Sequence, residues 1–439
     1  MQPVGERPFD REIARLAVPA FGALLAEPLY VLADTAVVGH LGTPQLGGLA
    51  VASAVLLAAY SLCIFLAYGT TAAVARLIGA GDEREAVHQG VQGIWLAALA
   101  GAVLALLGLF TAHRLVSLFG ADGVVTGFAL TYLRISLIGL PFLLVTLAGT
   151  GYLRGVQDTR TPLVVAVVSS VANLVLELVL VVGLHQGIGA SAAATVVVQV
   201  ATGAVYLRAV LGRARQLGAS VAPDPRTLRA LARVGADLMV RTAALRAAFI
   251  GATVIATRLG KVEVAAHQIC VEIWNLLALG LDALAIAGQA MVGRLLGAAR
   301  PEEARAASRR LLQLGLLAGV AIGVVVVALA PVLPGVFSGD VEVRRLSTFL
   351  LIWVAGQQPV AAVVFVLDGV LIGAGDQRFL AVAMVVAGAA FFVAGLPILP
   401  LGLGVGWVWA AIGVFLVARV VVLSLRFRGT GWQVLGANR

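Results

Sequence analysis

Glu27, Tyr30 and Asp34 fall three and four residues apart in a long apolar run that begins near Ile13. At 3.6 residues per turn they share one face of a helix. A carboxylate facing lipid is costly, so both acids are expected to look into protein or water. Two acids and a phenol on one face of a helix interrupted by Pro28 suggest a site that binds cations or exchanges protons. A plainer role is carboxylates at a helix end touching headgroups or loop residues. It suits Asp34 in part, because Gly39-His40-Leu41-Gly42-Thr43-Pro44 closes the run soon after. It suits Glu27 badly, because Glu27 lies near mid-span. Asn173 and Glu177 form a second set, four apart on one helix face. Asn offers a carbonyl oxygen and two donors, and Glu offers charge. With Asp34 they could form an oxygen cage for Na⁺ or a proton-sharing pair. Two close carboxylates in low dielectric cannot both ionise cheaply, so such a pair titrates as a unit. A structural arginine partner for Glu177 would have to be Arg134, the one basic residue near that depth.

Further charges lie inside later apolar runs: Arg241, Arg246, Glu272, Asp282 and Asp368. Opposite signs permit pairing, for example Arg246 with Glu272, so a structural role is at least as good a reading. Asp368 is the strongest functional candidate among them, because it sits in a Gly-rich stretch. Tyr132, Thr195 and Gln199 are single polar residues on apolar helices, the usual pattern of a helix-packing hydrogen bond.

The elements that must position these residues are membrane helices. The chain has 439 residues, 61% hydrophobic and 12% charged, with mean hydropathy +1.02. A soluble domain carries roughly 25% charged residues. About twelve apolar segments approach or exceed the roughly 20 residues that span a bilayer. They lie near 12–38, 46–79, 88–112, 124–153, 162–184, 189–211, 228–258, 262–296, 308–334, 345–372, 378–400 and 404–425. The net charge of +9 does not indicate nucleic acid, because the arginines sit in short loops between these runs. Placing both termini in the cytoplasm puts about 22 Lys/Arg inside and about 5 outside, the expected bias for a protein of the cell membrane. Met1–Arg15 lacks an apolar core with a cleavage site and is read as no removable signal. Cys63 and Cys270 lie in apolar runs as packing residues.

The chain repeats itself at an offset of 218 residues. Arg76-Leu77-Ile78-Gly79-Ala80 falls on Arg294-Leu295-Leu296-Gly297-Ala298, Phe119 and Asp122 on Phe337 and Asp340, and Pro141 on Pro359. Six helices per half return the chain to the same side, so the halves share topology about an axis along the membrane normal. The expected lobes are 1–217 and 218–439, with a cytoplasmic linker at 218–227. The halves differ at the acids: Asp34 falls on Ala252, Glu27 on Leu245, Glu177 on Gly395 and Asp368 on Thr150. No phosphate-binding loop, H-E-x-x-H or paired C-x-x-C occurs, and the loops are too short for a catalytic domain, so an enzyme is not expected.

These residues resemble the multidrug and toxic compound extrusion transporters over essentially the whole chain. The resemblance rests on Pro19 with Asp34-Thr35-Ala36-Val37-Val38-Gly39, on Arg76-Leu77-Ile78-Gly79-Ala80-Gly81-Asp82, and on Leu153-Arg154-Gly155-Val156-Gln157-Asp158-Thr159-Arg160-Thr161-Pro162. Asn173 with Glu177, and Leu281-Asp282-Ala283-Leu284-Ala285-Ile286-Ala287-Gly288-Gln289, resemble its DNA-damage-inducible F branch. The resemblance implies an all-α membrane protein of two pseudo-twofold-related six-helix bundles in a V, working by alternating access. It implies a monomeric antiporter without a cofactor, exporting organic, often cationic or amphipathic, compounds against inward H⁺ or Na⁺. It places the coupling site at Asp34, Glu177, Asn173 and Tyr30, Tyr132 and Thr195 at lining positions, and a bend of the first helix at Pro19; from the residues themselves, Glu27 and Gln199 are further substrate-lining candidates and Pro28 a second place to bend. A flippase for lipid-linked precursors, from the wider superfamily, is the alternative, kept open by Arg241 and Arg246.

Overall fold

The computed structural model describes residues 7–120 and 122–437, with side chains from Phe9 onward. The stretch Met1–Arg15 read for a signal lies partly outside them. Among the described residues, twelve helices are long and apolar enough to cross a membrane. They are α1 (Phe9–Gly39), α2 (Thr43–Gly79), α3 (Glu83–Ser117), α4 (Gly123–Gly155), α5 (Arg160–Gly183) and α6 (Ile188–Gln216) in the first half. The second half has α7 (Pro225–Leu259), α8 (Lys261–Gly297), α9 (Pro301–Leu329), α10 (Val341–Gly373), α11 (Gln377–Gly395) and α12 (Gly406–Arg428). No strand occurs among the described residues. Helices suit this composition because they satisfy every backbone group within the segment, where no water is available to do so.

The repeat is carried by the backbone. The starts of α2 and α8, α3 and α9, α4 and α10, and α6 and α12 each stand 218 residues apart. So do the left-handed turn residues: Gly81 with Ala299, Gln157 with Gly375, and Gly218 with Gly436. At all of these but Gly436 the chain reverses just past a helix end, and the amide three residues beyond the helix reaches back to a carbonyl of its last turn, as Asp82 does to Leu77 at 3.0 Å and Arg300 to Leu295 at 2.9 Å. Asp122 and Asp340 cap α4 and α10, accepting from the backbone amides of Val125 (2.8 Å) and Glu342 (2.8 Å).

Equivalent helices hold equivalent places. In the first half α4 packs against α2, α3 and α6; in the second α10 packs against α8, α9 and α12. Glycines allow this closeness. A methyl group on Gly151 would lie 2.5 Å from the Ala67 carbonyl oxygen, and one on Gly369 would lie 2.2 Å from that of Ala285. Small residues let membrane helices approach backbone to backbone, where dispersion takes over from the hydrophobic effect.

Two local features depart from the sequence expectation. α2 is interrupted at Ile64, with no Gly or Pro to signal it. α5 ends in a π-helical turn, Leu178–Gly183, directly after Glu177. α1, by contrast, runs unbroken through Pro19 and Pro28.

The chain packs as two units, Val18–Gly235 and a second formed by Met1–Ala17 with Ala236–Arg439. In the second unit, Arg310 holds Asp10 through two bonds of 2.6 and 2.8 Å, and Arg294 holds Glu12 at 2.7 Å. In the first, three side chains on one face of α3 grip the segment that follows α6. His88 Nδ1 lies 3.0 Å from the Ser220 carbonyl, Trp95 Nε1 donates to that of Val221 at 3.0 Å, and the Gln92 amide donates to Ala222 and accepts from Asp224.

Candidate cation site

In the first unit, Asp34 on α1 meets α4, α5 and α6. Its side chain is buried, as are Asn173, Glu177, Ser191, Thr195 and Tyr132. Ser191 donates to Asp34 Oδ1 at 3.0 Å, and the Tyr132 hydroxyl stands 3.5 Å from Oδ2. Asn173 donates to Glu177 Oε1 at 2.7 Å, the i,i+4 geometry expected on one helix face. The Asp34 and Glu177 carboxyl groups lie within hydrogen-bond reach of each other.

Every donor in this cluster is neutral. Among the described residues no arginine, lysine or histidine forms an ion pair with Asp34 or Glu177, and Arg134 is exposed. Glu177 Oε2 and Asn173 Oδ1 are buried and receive no hydrogen bond. A buried charge of either sign must be paired or neutralised. Two facing carboxyl groups with oxygen atoms to spare can meet that need by sharing a proton or by taking a cation on Asp34, Glu177 and Asn173 oxygens.

The other first-half candidates divide. Tyr30 does not reach the carboxyl groups through its hydroxyl, which bonds Thr195 Oγ1 at 3.0 Å. Tyr132 and Thr195 therefore belong to the cluster, one at an acid and one at the phenol. Glu27 stands apart and exposed, its carboxylate 3.5 Å from the Tyr60 hydroxyl. Gln199 is half-buried against Gly139 of α4. Ser191 was not singled out in the sequence. It lies four residues before Thr195 and so shares its face, but it sits in the run Ala190-Ser191-Ala192, which reads as packing.

The second unit treats its acid differently. Asp368 on α10 is buried between Arg241 of α7, at 2.5 Å, and Arg419 of α12, both bonded to the same oxygen. The expected pairing of Arg246 with Glu272 is absent among the described ion pairs. Arg246 is exposed, and Glu272 instead accepts from Gln268 of its own helix at 2.8 Å. Asp282 is half-buried on α8. Arg419, not singled out in the sequence, stands alone among the apolar residues Leu416-Val417-Ala418 and Val420-Val421. An arginine in such a run demands a buried partner.

Comparison with known proteins follows this geometry. The MatE family profile matches the chain twice, over residues 19–179 and 239–401, once in each half. The DNA damage-inducible protein F of Escherichia coli (strain K12) is 31% identical over 428 residues, covering 95% of this chain and 92% of that protein. Protein DETOXIFICATION 44, chloroplastic, of Arabidopsis thaliana is 31% identical over 446 residues, covering 97% and 84%. A crystal structure of MATE in complex with MaD3S has the same fold, with a TM-score of 0.86 at 21% identity over 98% of this chain and 99% of that one.

Proposed function

Because the chain belongs to the MatE family, the multidrug and toxic compound extrusion transporters, and is a multi-pass membrane protein, we propose that it exports organic cationic or amphipathic compounds. H⁺ or Na⁺ moving inward through the first unit drives the export. The observation that carries this reading is the Asp34–Glu177 pair, buried among neutral donors only. Such a pair changes its charge when it gains or loses a proton or a metal cation, and its surroundings favour the neutralised form.

Asp34 joins α1 to α4 and α6 through Tyr132 and Ser191, and Glu177 brings in α5. Neutralising the pair removes repulsion between α1 and α5. Recharging it restores the repulsion. A cationic substrate favours the charged form and the coupling ion favours the neutral one, so each opposes the state the other selects. The bias of arginines in the loops supports a cytoplasmic location for both termini. The acids argue against a lipid-linked anionic cargo. The exposed guanidinium of Arg246 is the observation on the side of the flippase.

The test is substrate efflux from proteoliposomes under an imposed pH gradient or an imposed Na⁺ gradient. Export is expected under one of the two and is expected to vanish in Asp34→Asn. Wild-type export by Asp34→Asn would remove the first unit from coupling and leave Asp368 as the candidate.

A further inference from the structure

α6 and α12 start 218 residues apart but do not end alike. α6 has 29 residues and α12 has 23. α12 therefore stops about a turn and a half early, at Arg428, where Gly429-Thr430-Gly431 breaks it. The residues that would extend the helix form an irregular segment, 429–436, that folds back along the second unit.

A segment beyond a last helix is normally loosely held. This one is not. Trp432 is among the largest fully buried side chains of the protein. Its ring stacks on Phe427 at 5.3 Å, and its Nε1 donates to the Phe427 carbonyl at 3.1 Å. Arg305 of α9 stands 5.7 Å from the centre of each ring and donates to the Gly429 carbonyl at 2.6 Å. A guanidinium placed there meets two aromatic rings and takes up a carbonyl that the end of α12 leaves over.

The contacts reach four helices. On α9, the Pro301 carbonyl accepts from the Gln433 amide at 3.1 Å. On α8, the Leu296 carbonyl accepts from the Gly436 backbone amide at 3.1 Å. On α12, Arg426 donates to the Gly431 carbonyl at 3.1 Å and to Asp376, directly before α11, at 2.6 Å. Arg426 also stands 5.1 Å from the centre of the Phe379 ring on α11. All of this lies at the end of the unit where α8 turns into α9 and α10 into α11.

The first half lacks these parts. At the 218-residue offset Phe427 falls on Ala209, Trp432 on Ala214 and Arg305 on Val87. Arg426 and Asp376 fall on Arg208 and Asp158, but Asp158 bonds Thr161, and among the described residues it makes no ion pair with Arg208. The segment after α6 is held on α3, through His88, Gln92 and Trp95.

We propose that residues 429–436 are a strap that ties the ends of α8, α9, α11 and α12 into one body, with Trp432 as its anchor and Arg305 as its clasp. This end of the second unit then keeps its shape while helices elsewhere in the chain rearrange. The inference is independent of the coupling ion and of the cargo.

Hydrogen–deuterium exchange read by mass spectrometry, on the purified full-length protein in maltoside, tests it. In the wild type, amides in the opening turns of α11 and the last turn of α12 are expected to be protected about tenfold more than those of α5 and α6. Trp432→Ala and Arg305→Gln are each expected to speed exchange about tenfold at the strapped ends of all four helices. They should leave α2 to α6 unchanged, and Trp432→Phe should restore protection in part. Arg305 is half-buried, so Arg305→Gln leaves the indole in place and serves if Trp432→Ala does not fold. Acceleration confined to 429–436 overturns the proposal, because the segment then rests on the unit without holding it. Even acceleration through both units overturns it as a general loss of stability. Equal protection of the two pairs of helix ends in the wild type overturns it without any variant.

Discussion

In the first unit, Asp34 and Glu177 are met by Ser191, Tyr132 and Asn173, which carry no charge. In the second, Asp368 is met by Arg241 and Arg419. The surrounding helices occupy equivalent places, down to the contacts of Gly151 on Ala67 and Gly369 on Ala285. Backbone contacts between small residues therefore place the helices, and the side chains at a given depth are free to differ. Neutral donors leave a buried acid to be neutralised by something that comes and goes. Guanidinium groups neutralise it permanently. One set of helices thus surrounds its acids with neutral donors in one half and its acid with guanidinium groups in the other.

The sharpest way to break this contrast is to make the same change in both halves. Asp368→Asn takes the carboxylate from the buried Arg419 and from the part-buried Arg241 and should cost about 3–5 kcal/mol of stability, read as a fall in folded yield and melting temperature in detergent. Asp34→Asn keeps an oxygen for Ser191 and should change stability by less than about 1 kcal/mol while abolishing gradient-driven efflux. If Asp368→Asn folds normally and loses transport, the arginine-paired acid takes part in coupling. Ser191→Ala leaves the buried Asp34 Oδ1 without this hydrogen bond. It should cost about 1–3 kcal/mol and shift the pH profile of efflux, whereas a stability loss with an unmoved profile would mean Ser191 only packs. Gly151→Ala and Gly369→Ala should each cost about 1–3 kcal/mol by overpacking, and a large difference between them would show that the halves are not packed alike. The smallest effect is a gain. Ala299 holds the left-handed turn that Gly81 holds in the first half, so Ala299→Gly should stabilise by about 1 kcal/mol, read as a raised melting temperature.

The fold was legible because it is written in short-range terms. Twelve apolar runs, Asp caps and Gly turns recur at one offset, and each acts within a few residues of itself. The buried acids were legible too, since Asp34, Asn173 and Glu177 stand out in apolar helices that have no other reason to carry them. What failed concerned which helix faces which. Sequence spacing shows that Arg246 and Glu272 lie at membrane depth, but not that both stay exposed and that Glu272 takes its hydrogen bond from Gln268 of its own helix. Asp368 stood out as an acid, yet its neutralisation depends on Arg419, about fifty residues away and on another helix. Tyr30 shares a face with Asp34, but Thr195, supplied by α6, takes its hydroxyl. The break at Ile64 had no sequence signal, because Cys63-Ile64-Phe65 contains neither Gly nor Pro.

The boundaries of the packing units fall inside helices, after Ala17 in α1 and after Gly235 in α7, again 218 residues apart. Each half of the polypeptide therefore lends the opening turns of its first helix to the other half's pack. A cut in the linker near Gly218 would not yield two self-sufficient fragments. Each would carry an arm whose partners were left on the other piece, as with Asp10 and the Arg310 that holds it. Co-expressed, the two fragments should find each other by that reciprocal exchange. A single six-helix chain, before any duplication, would have met the same demand by trading arms with a second copy of itself, as domain-swapped dimers do.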